Sequence, residues 1–136
     1  MNNTESVLSK YRRIAVVGLS PSPLRDALGV ARFLVEMGYD VVGVNPMYDD
    51  IPGFDVFPTL ADMPEPPEIV DIFRRNPGPH VDEAIAVGAK AVWMQFGVID
   101  EAAAERAAAA GLDVVMDRCP KVEYTRHFGR TPLPAL

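Results

Sequence analysis

Short apolar runs alternate with amphipathic stretches along the chain, and glycine, proline or a polar cluster stops each of them. The run Ile14-Ala15-Val16-Val17 is apolar at every position and ends at Gly18-Leu19-Ser20. That pattern predicts a strand buried on both faces that breaks into a small loop. Beyond Pro21 and Pro23, Asp26 opens a stretch to Met37 in which Leu28, Ala31, Leu34 and Val35 recur at helical spacing, and Gly38 is placed to stop it. Val41-Val42-Gly43-Val44 predicts a second buried strand, ending at Asn45-Pro46. Strand, helix and strand within about thirty residues make a βαβ unit whose strands run parallel.

The alternation continues. Met47 to Pro67 is rich in proline, aspartate and glycine; within it Asp55-Val56-Phe57 predicts a short edge strand and Leu60 to Met63 a single turn. Ile69-Val70-Asp71-Ile72-Phe73 restarts the sheet and stops at Arg74-Arg75-Asn76, and a helix follows from about Val81 to Val87, ended by Gly88. Ala91 to Phe96 predicts a strand stopped by Gly97. The alanine-rich Glu101 to Ala110 predicts a helix stopped by Gly111, and Leu112 to Met116 the last strand. Ahead of all this, Thr4 to Lys10 predicts a short helix capped by Asn3 or Thr4, with Val7 and Leu8 packed on the sheet edge. Thr131 to Leu136 is expected to be a loose tail. Strands alternating with helices imply a doubly wound, mainly parallel sheet of five or six strands in a single α/β domain over residues 1–136.

Composition narrows the partners. The formal charge is −6, which argues against non-specific nucleic-acid or anionic-membrane binding, because neutralising phosphates needs a surplus of Lys and Arg. A single cysteine makes no internal disulfide. Met1 to Glu5 lacks the basic and apolar regions of a signal peptide, and no apolar run approaches a membrane span, so the expected setting is cytoplasmic.

In an open parallel sheet the ligand sits beyond the carboxyl ends of the strands. Those ends read Gly18-Leu19-Ser20, Asn45-Pro46, Phe73-Arg74-Arg75, Gln95-Phe96-Gly97 and Asp117-Arg118-Cys119, which gathers small, cationic and hydrogen-bonding groups on one rim of an acidic protein. Arg25 stands at the mouth of the first loop, where a guanidinium can pair bidentately with a phosphate held by the helix N-terminus. The dinucleotide fingerprint G-x-G-x-x-G is absent, since only Gly18 of the three glycines is present, and Asn45 stands where an acidic residue would accept from a ribose hydroxyl. Both features disfavour NAD. No metal is expected, because His80 and His127 lack partners at ligand spacing, and Ser20 lacks the glycine that follows a nucleophile elbow, so no catalytic residue is assigned. Packing in an apolar strand is the default role of Trp93 and, similarly, of Phe73. The alanines of 107–110 suit tight helix packing on the sheet or on another subunit.

Five segments in order carry a more specific signal. Ile14 to Ser20, Gly43-Val44-Asn45-Pro46, Val70 to Arg75, Trp93 to Gly97 and Val115 to Lys121 resemble the motifs of the small, single-domain CoA-binding proteins, themselves similar to the N-terminal CoA-binding domain of the succinyl-CoA synthetase alpha subunit. The resemblance spans Arg13 to about His127. It implies a Rossmann-like fold that binds coenzyme A or an acyl-CoA, but not the ligase reaction, whose phosphorylated histidine lies in a further domain. By that resemblance Gly18, Leu19, Ser20 and Arg25 lie near the phosphates and Asn45 and Pro46 line the adjacent wall. Phe73, Arg74 and Arg75 border the adenosine end, while Trp93, Gln95 and Gly97 flank the cleft. Asp117, Cys119, Pro120 and Lys121 lie towards the pantetheine arm. Cys119, between Arg118 and Lys121, is a candidate for a mixed disulfide with CoA. The competing expectations are a CoA-binding subunit that borrows a catalytic partner from an acyl-CoA ligase or transferase, and an NAD-type redox sensor; a self-contained homo-oligomer fits the stand-alone CoA-binding protein and not the borrowed-partner subunit.

Overall fold

In the computed structural model, which describes residues 2–134, six strands form one all-parallel sheet. They are β1 (Arg13–Val17), β2 (Asp40–Val44), β3 (Val56–Phe57), β4 (Ile69–Ile72), β5 (Ala91–Met94) and β6 (Asp113–Met116), in the spatial order β3-β2-β1-β4-β5-β6. The order reverses between β1 and β4. At that seam the connections leave to opposite faces and a crevice opens beyond the carboxyl ends.

Period-two alternation along β1 sends Ile14 and Val16 to one face and Ala15 and Val17 to the other, and both faces are covered. The first carries α1 (Thr4–Lys10), α2 (Asp26–Glu36) and α5 (Pro120–Phe128), through Leu8, Ala31, Leu34 and Tyr124. The second carries α3 (Gly78–Val87), α4 (Glu101–Ala109) and the 3-10 turn Leu60–Asp62. Of the alanines at 107–110 only Ala107 is buried and the other three are exposed; Ala107 joins Ala103 and Ala104 in this second layer, where small side chains let α4 lie close to the sheet. In β2, Gly43 makes room for the buried Leu19, whose Cδ2 would stand 2.8 Å from a methyl group there.

Differences from the sequence expectation are local. The third helix starts at Gly78, with Pro79 in its first turn, and β5 ends at Met94. Asn3, not Thr4, caps α1 by accepting from Ser6 N. Thr4 instead donates to Glu123 of α5 and bonds His127 Nε2 at 2.8 Å, tying the first helix to the last. Of the expected tail, Leu133 N donates to Met37 O and Arg12 reaches Pro134 O, while 135–136 lie outside the described residues. No helix among the described residues is long and apolar enough to cross a membrane.

Glu68 closes the opposite end of the sheet, where its Oε1 accepts from the N–H groups of Arg12 and Arg13, each at 3.0 Å. Burial works to raise its pKa, yet the two N–H donors prevail and hold it below the ordinary value. A lowered folded-state value means that its contribution is complete above the unfolded-state value and fades as pH falls through the folded one. Glu68→Ala is therefore expected to lower stability at pH 7 by ~1 kcal/mol, with the urea midpoints of the two proteins converging towards pH 3.

Candidate functional site

The β1 loop is shaped by its glycine. Gly18 has φ +95°, its N–H donates to Val44 O, and a methyl group on it would meet Phe73 O at 3.0 Å and Arg74 Nε at 3.3 Å. The chain then turns Leu19 into the core, and Asn45 at the end of β2 locks the turn from the side. Its Nδ2 donates to Leu19 O at 3.0 Å and its Oδ1 accepts from Met47 N at 3.0 Å. Asn45 is buried, and each end of its amide is tied to the backbone by one hydrogen bond. Ser20 Oγ accepts from Ser22 N at 3.2 Å, and the loop delivers the chain to Arg25, the N-cap of α2.

That helix begins without a side-chain cap, so its first N–H groups face the crevice with the positive end of the dipole. Two clefts meet there. The smaller, of about 460 Å³, is lined by Gly18, Ser20, Arg25, Asn45, Phe73 and Arg74, together with Ser22, Asp26, Met47 and Tyr48, which were not singled out from the sequence. The larger, of about 840 Å³, runs from Arg25 between α2 and the start of α5, past Gln95, Asp117, Cys119 and Lys121. Arg25 and Asp26 line both.

The larger cleft depends on α5, which also starts without a side-chain cap, at Cys119. Asp117 precedes it with φ +62° and accepts from Gly97 N at 2.7 Å, binding the β5 and β6 ends together. Lys121 Nζ lies 5.5 Å from the Phe33 ring centroid. Among the described residues no ion pair uses Arg25, Arg74, Arg118 or Lys121. The walls thus hold four cations outside any ion pair among the described residues, alongside the carboxylates Asp26, Asp117 and Glu123. His80, at the start of α3, is held below its ordinary pKa by burial and then by the Arg74 guanidinium.

The structure therefore brings Gly18, Ser20, Arg25, Asn45, Phe73, Arg74, Gln95, Asp117, Cys119 and Lys121 to two connected clefts. Pro46 lines a small pocket of about 220 Å³ that shares Asn45, Met47 and Tyr48 with this region. Leu19, Trp93 and Pro120 are buried and line neither main cleft; Arg75 and Gly97 are exposed beside them. Trp93 points into the core, and its Nε1 donates to Arg118 O at 2.8 Å. Phe96 and Val122, both exposed apolar residues, form the lips of the larger cleft, and Glu123 and Arg126 extend its α5 wall. The missed helix had signals: Pro120 at its first position, Arg126 and His127 in its last turn, and Gly129 after it. Its few apolar positions hid them. Among the described residues no cluster of His, Cys, Asp and Glu is arranged to hold a metal ion.

Residues 12–125 match the family model described as CoA binding domain. The chain is 34% identical over 123 residues to "Uncharacterized protein YneT" of Bacillus subtilis (strain 168), covering 88% of this chain and 90% of that protein. A solved structure of a hypothetical protein from Pyrococcus horikoshii OT3 is 40% identical, with a TM-score of 0.87 over 91% of this chain and 89% of that one. A further structure, the apo form of a dinucleotide-forming acetyl-coenzyme A synthetase 1 from Ca. Korarchaeum cryptofilum, is similar with a TM-score of 0.70 at 22% identity. It covers 85% of this chain but only 28% of the synthetase, and at that identity the likeness is one of fold.

Proposed function

Since the chain belongs to the CoA binding domain family, we propose that it binds coenzyme A or an acyl-CoA along the carboxyl edge of its sheet, in the cytoplasm, with no catalytic group of its own. The observation that carries this reading is the pair of clefts joined at the uncapped start of α2, with Arg25, Arg74, Arg118 and Lys121 in no ion pair among the described residues. An elongated ligand with a polyanionic end and a neutral arm suits that shape. The pyrophosphate sits at Gly18, Ser20 and Arg25, the adenosine end borders Phe73, Arg74 and Arg75, and the pantetheine arm follows the larger cleft past Gln95 towards Cys119. NAD is disfavoured because Asn45 supplies no carboxylate at the end of β2 and Gly18 is the one glycine of the dinucleotide fingerprint present.

Calorimetry is expected to give CoA or an acyl-CoA an affinity ~100-fold above that of NAD or ATP; equal millimolar affinities overturn the reading. Placement of the thiol is tested separately. When CoA disulfide is added, attack by the Cys119 thiolate forms a protein–CoA disulfide and releases one CoA thiolate, leaving an adduct that dithiothreitol removes. Absence of the adduct moves the thiol away from Cys119. The fold likeness to part of an acetyl-coenzyme A synthetase favours a second reading, a CoA-binding subunit of an acyl-CoA ligase or transferase. Copurification with an acyl-transfer protein supports that; a self-contained oligomer does not.

A further inference from the structure

Asp71 occupies the middle of β4, in register with Val16 of β1 on one side and Trp93 of β5 on the other. It is 0% exposed, and neither carboxyl oxygen has a hydrogen-bond partner. By the period of two it faces the same way as Ile69, into the layer that α2 and α5 cover. Gln95 stands just past the end of β5, two residues beyond Trp93, and so points to that same layer. It is 8% exposed, lines the larger cleft, and its Oε1 is also buried without a partner. Diagonal neighbours on adjacent strands lie about 7–8 Å apart, within reach of a long side chain.

Two buried acceptors cannot satisfy each other, whereas a proton on the Asp71 carboxyl makes it a donor. We propose that Asp71 is a neutral carboxylic acid whose O–H donates to Gln95 Oε1, a positioning residue that turns the Gln95 NH2 into the larger cleft to donate to a carbonyl oxygen of the ligand. An ionised Asp71 would stand in the core without a counter-ion, and burial, the sole influence on it, drives its carboxyl towards the protonated form. The surrounding chain accounts for neither orphan otherwise. Trp93, between them, spends its only donor on Arg118 O. For the ligand, the inference rests on the CoA reading, in which the carbonyl belongs to a pantetheine amide or to the acyl thioester. The proton on Asp71 does not depend on it.

The test joins carbon-detected NMR of the Asp71 carboxyl with calorimetry. The expected carboxyl resonance of the full chain at pH 7 is that of a protonated acid. Asp71→Val, which leaves Gln95 Oε1 without a donor, is expected to weaken CoA binding ~10-fold. Asp71→Asn, whose amide can still donate to Gln95, is expected to restore most of that loss. Gln95→Met, close to isosteric, is expected to shift the Asp71 carboxyl resonance by removing its acceptor, and serves if Asp71→Val does not fold. A carboxylate resonance at pH 7, an Asp71→Val protein that binds as wild type, or an Asp71 signal indifferent to Gln95→Met overturns the proposal. If wild type itself fails to bind CoA, the ligand reading falls, and the carboxyl resonance alone still decides the Asp71–Gln95 pair.

Discussion

Arg74→Glu is expected to weaken CoA binding by ~100-fold while leaving the fold in place. Arg74 follows β4 at the sheet's reversal point and lines the smaller cleft, where its Nε lies 3.3 Å from the position of a methyl group on Gly18. It has no carboxylate partner to lose, so reversing its charge breaks no ion pair among the described residues. The loss falls on the ligand. A hydrogen bond to a charged group contributes about 1.5–3 kcal/mol, or roughly ten- to a hundred-fold in affinity, and the new carboxylate also repels a phosphate. Calorimetry with CoA measures the change. Circular dichroism reports on the fold, and His80 on the charge reversal: Arg74 helps to hold its pKa down, so replacing the cation with an anion is expected to raise it, as followed by histidine NMR. A variant that binds CoA as wild type places the phosphates away from Arg74.

The sequence made the sheet readable because every interior strand is buried on both faces, and an uninterrupted apolar run stopped by glycine or a polar cluster has few other interpretations. Ile14 to Val17 and Ala91 to Met94 are of this kind, and only Asp71 interrupts Ile69 to Ile72. The short edge strand was legible too, from Val56 and Phe57 inside a proline-rich connection. What stayed hidden was α5, half of the larger cleft. Of its nine residues only Pro120, Glu123 and Tyr124 are buried, so its inward face is one aromatic ring, a proline and a carboxylate that Thr4 satisfies from 119 residues away. No local periodicity announces such a face.

The candidate site was legible at its strand ends and dark between them. Rim position follows from topology alone, which is why Gly18, Asn45, Arg74, Gln95 and Cys119 could be grouped before any coordinates. Whether a rim side chain faces the cleft or supports its wall depends on pleat direction and on partners distant in sequence. Asn45 reads as a wall of the phosphate site, and in the structure it lines the smaller cleft while its amide also holds the backbone at Leu19 and Met47. Asp71 read as one polar letter in an apolar strand, and only the register shows it enclosed between Val16 and Trp93.

Trp93→Ala is expected to cost ~3–5 kcal/mol, a large share of the roughly 5–15 kcal/mol that holds a domain together. The indole is fully buried in the layer under α2 and α5, flanked in register by Asp71 and Val115, and its Nε1 donates to Arg118 O at 2.8 Å. Truncation therefore leaves both a cavity and an unpaired carbonyl next to the larger cleft. Trp93→Phe keeps most of the volume and is expected to cost about 1–3 kcal/mol, chiefly through the Arg118 carbonyl left without its donor. Urea unfolding followed by circular dichroism measures both, since this is the chain's one tryptophan and replacing it removes the fluorescence signal. CoA titration of Trp93→Phe separates packing from contact. If the ring acts by packing, affinity far from the unfolding midpoint changes less than about tenfold while the midpoint falls, because the ligand then meets a cleft whose cations are all still present. A Trp93→Phe protein as stable as wild type that no longer binds CoA makes the indole a ligand contact, and the cleft must then reach deeper between β5 and α5 than its walls now indicate.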